Sequence, residues 1–195
     1  TTSRPSGAAV ERRFDAFLRV QEVLLEALRE ERVEIRLKAA QTLAGVARWA
    51  LEPGLPPGGE GALAEALRAH FAWESEPPVH QWTAEALDAL FSALVPRCEL
   101  GHVVSDLQEL EGLCAFLGEP QPWRTEALQR LRAVLVRPDL MDAVVGHILR
   151  LERHRLGAEV HPYLEFLGAP MARHLVARLG EESDRTRRGR LVEAV

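Results

Sequence analysis

A chain of 195 residues with 47% hydrophobic and only 6% aromatic residues is long enough to bury a substantial core as one domain or one continuous array, and its Ala- and Leu-rich apolar fraction favours helices over sheets. It holds no apolar run approaching the ~18 residues of a membrane span and no signal-peptide layout. Two cysteines, Cys98 and Cys114, are too few for a disulfide scaffold and match no zinc spacing, so a reducing cytoplasm is the expected setting. Lys38 is the only lysine among 24 basic residues, which reads as bacterial genomic base composition rather than as chemistry.

In chain order, residues 1–9 are polar, with Pro5 and Gly7, and predict a loose arm. The spacing of Phe14, Phe17, Leu18, Val20, Leu24, Leu25 and Leu28 predicts a first helix from about Val10 to Leu28. The next stretch, Val33 to Trp49, is a template that later helices repeat. At 100° per residue, Val33, Leu37, Ala40, Ala44 and Ala47 form one apolar line, and Ile35, Ala39, Leu43 and Val46 form a second beside it. A lone surface helix needs a stripe of only about 100°, so this helix is expected to be buried against a hairpin partner and against neighbouring hairpins. Arg36 falls inside the apolar arc, where a charge is tolerated only if paired; it needs an acidic partner.

Glu52 to Gly61 is a Pro/Gly cluster that breaks helices and links repeats. Two helices are then expected near Ala62 to Trp73 and Val79 to Val95, and two more at Leu100 to Leu117 and Pro122 to Val136. A fourth pair runs from Asp139 to about Leu167, with Met141, Val144, Val145, Ile148, Leu149 and Leu151 in its first helix and Tyr163, Leu164 and Leu167 in a shorter second. A fifth begins at Pro170, breaks at Gly180 and resumes through Asp184 to Val195. A terminal repeat normally presents a polar cap, so Leu191 and Val195 imply that more protein lies beyond them and that the domain spanning 10–195 is truncated.

Placing Trp82 and then Trp123 where Ile35 sits aligns Ala39 with Ala86 and Ala127, Lys38 with Glu85 and Glu126, and Leu43 with Leu90 and Leu131. The steps of about 47 and 41 residues suit two-helix repeats. Each template copy is entered by an acidic or proline-rich segment, Glu30-Glu31, Glu76-Pro77-Pro78 and Glu119 to Pro122, which favours a helix start. The run from Leu28 to Arg36, with Ala39, Ala40 and Leu43 after it, resembles the second half of a HEAT repeat, and Trp123-Arg124 with Ala127 and Leu131 repeats it. The resemblance implies an all-α, right-handed α/α superhelix of about five antiparallel helix pairs. It also implies that Arg36 and Arg124 bond acidic turn residues of an adjacent repeat, whereas the second copy has Thr83 at that position.

No constellation for catalysis emerges. The seven histidines form no HExxH pair, there is no phosphate loop, and Cys98, Glu99, His102 and Asp106 offer only a sparse metal set beside the four close ligands of structural zinc. His147 and His154 stand two turns apart, too far to share an ion. Trp82 and Trp123 occupy a packing position, unlike the groove aromatics of the HEAT-like alkylpurine DNA glycosylases. No cofactor is expected. The template's polar line, Glu34, Lys38, Gln41 and Arg48, projects onto Gln81, Glu85, Asp88 and Ser92 and then onto Glu126 and Gln129, an acidic groove. Residues 1–119 carry a net −8 and residues 120–195 a net +3, the latter with Arg185, Arg187, Arg188 and Arg190 clustered as a candidate anion patch. Duplex DNA draws on a basic track, so the expected function is a non-enzymatic adaptor whose groove holds a basic or amphipathic protein segment. The alternative is a HEAT-like nucleic-acid enzyme, of DNA glycosylase or lyase type. Neither a membrane nor a nucleic acid is the expected partner.

Overall fold

In the computed structural model the described residues are 7–49, 60–97, 100–117 and 121–194; they are helical apart from short turns, with no strand among them. The helices are α1 (Gly7–Ala27), α2 (Val33–Trp49), α3 (Glu60–Trp73), α4 (Pro77–Leu94), α5 (Leu100–Phe116), α6 (Pro122–Leu135) and α7 (Pro138–Arg150). A 3₁₀ turn at Arg153–Arg155 leads into α8 (Leu156–Glu159) and α9 (His161–Leu167), and the chain ends with α10 (Ala169–Glu181) and α11 (Arg185–Ala194). Pro77, Pro122 and Pro138 each open a helix, where a missing N–H costs nothing and the fixed φ is already helical. α1 starts at Gly7, so residues 7–9 of the expected arm are helical. Residues 1–6 and most of the Pro/Gly linker, residues 50–59, lie outside the described residues, as do Cys98, Glu99 and Val195.

Two compact units form, one from residues 1–90 and 110–128 and the other from 91–109 and 129–195; α4, α5 and α6 contribute to both. In the first unit α1 packs along α2. Ala39, Ala40, Leu43, Ala44 and Ala47 of α2 are buried together with Leu63, Leu67 and Phe71 of α3 and Ala86, Leu87 and Leu90 of α4. Each fully buried Leu or Phe contributes roughly 1.5–3 kcal/mol before entropy is counted. The alanines let helices approach closely. Leu43 and Leu90 here, and Leu131 in the second unit, are all buried, in agreement with their shared register.

The second unit is built around Val103, Leu107, Leu131, Leu135, Val144, Ile148, Tyr163, Met171 and Leu175. Tyr163 donates its hydroxyl to the Leu135 carbonyl at 3.2 Å, which satisfies the one polar atom of a fully buried ring. Gly168, at φ 58°, ends α9 in a conformation that a side chain would strain, and Pro170 then opens α10. Against expectation, α10 runs through Gly180, because one helical glycine costs only about 1 kcal/mol relative to Ala. The break falls instead at residues 182–184, where Asp184 Oδ1 caps α11 by accepting the Arg187 N–H at 2.9 Å. α11 packs on α7 and α10, and Leu191 is buried there.

Candidate functional site

The polar line of α2 is solvent-facing as its angular position requires: Glu34, Lys38, Gln41 and Arg48 are all exposed. On α4, Gln81 is exposed while Glu85 and Asp88 are half-buried, and on α6 Glu126 is exposed. Arg48 and Glu85 come together. Arg48 Nη2 donates to Glu85 Oε2 at 2.8 Å, which ties α2 to α4 and places a base against one of the acids expected to make this row negative. Gln129 is exposed and belongs to the second unit, as does Ser92, whose hydroxyl accepts from Arg137 Nη1 at 3.2 Å.

A buried polar cluster centres on Glu74. Arg36 Nε and Nη2 donate to the Glu74 carboxylate at 3.0 and 3.2 Å, while Arg36 Nη1 donates to the carbonyls of Glu30 and Glu31 at 3.0 and 2.9 Å. This is the acidic partner that Arg36 needed, contributed by the turn before α4. The same carboxylate accepts the N–H groups of Ser75 and Glu76. Arg124 also reaches this turn, but its Nη2 donates to the Glu74 backbone carbonyl at 3.0 Å rather than to an acid. Thr83 makes no such link; its hydroxyl donates to the Val79 carbonyl one turn back at 3.1 Å. Two arginines from α2 and α6 therefore share one turn.

His80 of α4 sits beside this turn, with ring centroids 3.9 Å from Phe71 and 4.4 Å from Trp123, the latter edge-on. Arg124 stacks over Trp123 at 5.1 Å. Nε2 of His80 and Nε of Arg124 are buried without a hydrogen-bond partner. Nε2 of His70 comes within 3.0 Å of Glu74 Oε2, but outside hydrogen-bonding geometry. Burial, reinforced by Arg124, pushes the His80 pKa down to about 3. Burial likewise lowers that of His70 against the pull of Glu74. For Glu74 burial acts upward, but the Arg36 hydrogen bond, the Glu76 amide and the nearby His70 and Arg36 charges outweigh it and leave the carboxyl below its ordinary value. At neutral pH the cluster holds one carboxylate, two guanidinium groups and two neutral imidazoles. That arrangement joins four helices, α2, α3, α4 and α6; a buried imidazole so averse to a proton is a poor general acid or base near pH 7.

Sequence reasoning missed Glu74, His70 and His80. The acidic entry it named was Glu76, which supplies an N–H rather than a carboxylate. The available signal was the i, i+4 spacing of His70 and Glu74 just before a proline-led helix, read together with the unpaired Arg36.

Of the arginines at the far end, Arg190 donates to the Leu149 carbonyl at the end of α7 and Arg187 pairs with Glu182 at 3.1 Å; Arg185 and Arg188 are exposed. Among the described residues no group of three or more His, Cys, Asp or Glu assembles as a metal site, and no helix is long and apolar enough to cross a membrane. His147 lies 3.6 Å from Glu159 and His154 3.6 Å from Glu152, two separate contacts. Trp123 and Trp82 are half-buried and Trp73 is exposed; Trp73 rims a cavity of about 260 Å³ between α1 and α3, with His70, Leu25 and Leu28 in its walls. Compared with protein-family models, curated proteins and solved structures, the chain finds no match.

Proposed function

We propose that this chain is a non-enzymatic adaptor, a HEAT-like superhelix of helix pairs whose second helices line a groove for a basic or amphipathic segment of a partner protein. The observation that carries this reading is the polar row on α2, α4 and α6. Its members face solvent or are half-buried, while the alanines and leucines one helix face away are buried. A row bridged from α2 to α4 by the Arg48–Glu85 pair is a shallow surface of the kind solenoids use for extended partners. The convergence of Arg36 and Arg124 on one turn supports adjacent hairpins in a common stack.

The test compares proteins retained from the native host by the wild type and by the Glu85→Lys/Asp88→Lys/Glu126→Lys variant, with helical content checked by circular dichroism. A partner held by the first and lost by the second supports the adaptor. An identical set, or tight duplex-DNA binding that collapses steeply with salt, sinks it, the latter in favour of a nucleic-acid enzyme.

A further inference from the structure

We propose that the flank of the α1–α2 hairpin carrying Ile35 and Lys38 docks a second copy of this chain. On α1, Val20, Val23, Leu24 and Ala27 stand at i, i+3, i+4 and i+7 and so form one stripe. Val20 and Val23 are 47% and 64% exposed, a costly use of apolar side chains in a helix that buries Phe17. The stripe runs onto α2. Leu24 and Ala27 with Ile35 and Ala39 floor an open trough of about 390 Å³, and Glu34 and Lys38 stand at its rim.

The register says what such positions do elsewhere. Trp123 occupies the place of Ile35 and packs edge-on against His80 of α4; Glu85 occupies the place of Lys38 and takes Arg48 of α2. In both cases the position grips a second helix lying alongside. On α2 no helix covers those positions among the described residues, and neither Glu34 nor Lys38 makes an ion pair there. A suitable occupant brings apolar side chains to Ile35 and Leu24, an acid to Lys38 and a base to Glu34. A second α2 does this by itself. Set antiparallel across a twofold axis, it places Glu34 of each copy beside Lys38 of the other, an isologous contact. The same axis sets Val23 and Ala27 of one α1 against Ala27 and Val23 of its mate.

The overlap is short, about 20 Å at ~1.5 Å per residue, so the buried area falls near the low end for specific interfaces and the dimer is reversible. It takes Glu34 and Lys38 from the α2 end of the polar row and leaves Glu85, Asp88 and Glu126 to the groove, so charge variants at the two places test the two readings separately.

Sedimentation equilibrium of the whole chain, in a concentration series reaching the high-micromolar range, tests it. The wild type is expected to interconvert between monomer and dimer, and Val23→Glu to remain monomeric. Glu34→Lys and Lys38→Glu each create like charges across the axis and are expected to weaken association by about tenfold or more. Mixed in equal amounts, those two variants restore it as a heterodimer. A wild type that stays monomeric throughout, association that the charge variants leave unchanged, or a mixture that behaves as its separate components would each overturn the proposal.

Discussion

Each unit contains a carboxylate that collects several donors, and the two differ in what surrounds them. Glu74 in the first unit takes Arg36 and two turn amides with its side chain only 2% exposed. Asp142 in the second takes Arg178 at 2.6 Å and His174 at 2.8 Å, but with its side chain 42% exposed. Both carboxyls are held below their ordinary values. For Asp142 the Arg178 hydrogen bond is the leading cause, whereas at Glu74 the donors must first overcome burial. Similar geometry therefore means different energetics: the open pair trades protein contacts for water at little net gain, while the buried one cannot lose a partner without stranding a charge.

The largest expected effect comes from that asymmetry. Glu74→Ala strands the Arg36 guanidinium and releases two turn amides, and should destabilise the first unit by about 3–5 kcal/mol. Glu74→Gln, which keeps the shape, should cost less. All four tryptophans, Trp49, Trp73, Trp82 and Trp123, lie in the first unit, so urea unfolding monitored by indole fluorescence reads it selectively. An Ala variant with the wild-type midpoint would remove Glu74 from the centre of the cluster.

Next in size is the acid response of the same cluster. A histidine whose folded pKa is about 3 against an ordinary 6.5 takes up a proton more readily unfolded than folded. Its cost is nil above pH ~6.5 and grows as pH falls toward 3, reaching about 3 kcal/mol by pH ~4 at ~1.4 kcal/mol per unit. The depressed Glu74 carboxyl adds a loss in the same direction below its ordinary range. His80→Phe, which keeps a ring between Phe71 and Trp123, should flatten the stability profile between pH 6 and 4 by fluorescence-detected unfolding. An unaltered profile would place the acid sensitivity elsewhere.

Much of this contrast could be read from the residues, though not where it mattered most. The helical class, the spans of α2 to α7 to within a few residues, and the burial of Leu43, Leu90 and Leu131 come from 3.6-residue periodicity and proline entries, which are local signals. Arg36's need for an acid was also legible, because a charge inside an apolar arc has few outlets. Its partner was not, since Glu74 lies 38 residues on in a turn where neighbouring acids and prolines look alike. The break expected at Gly180 fell at Asp184 because capping chemistry outweighs the modest cost of one glycine. The half-buried state of Trp82 and Trp123 likewise depends on neighbours that periodicity alone does not name.

The second unit offers the smaller tests. Tyr163→Phe removes the hydroxyl that bonds the Leu135 carbonyl and should cost about 1 kcal/mol, read by circular dichroism because Tyr163 is the only tyrosine. Asp142→Asn should do least of all. It breaks the Arg178 and His174 contacts, but Arg178 then turns to water at once, since Asp142 and Arg178 are each two-fifths exposed. The expected result is a urea midpoint indistinguishable from wild type at moderate salt, with any small deficit shrinking as salt screens the pair. A loss comparable to that of Glu74→Ala would mean that solvent exposure does not set the value of these carboxylates, and the contrast between the units would have to rest on their packing instead.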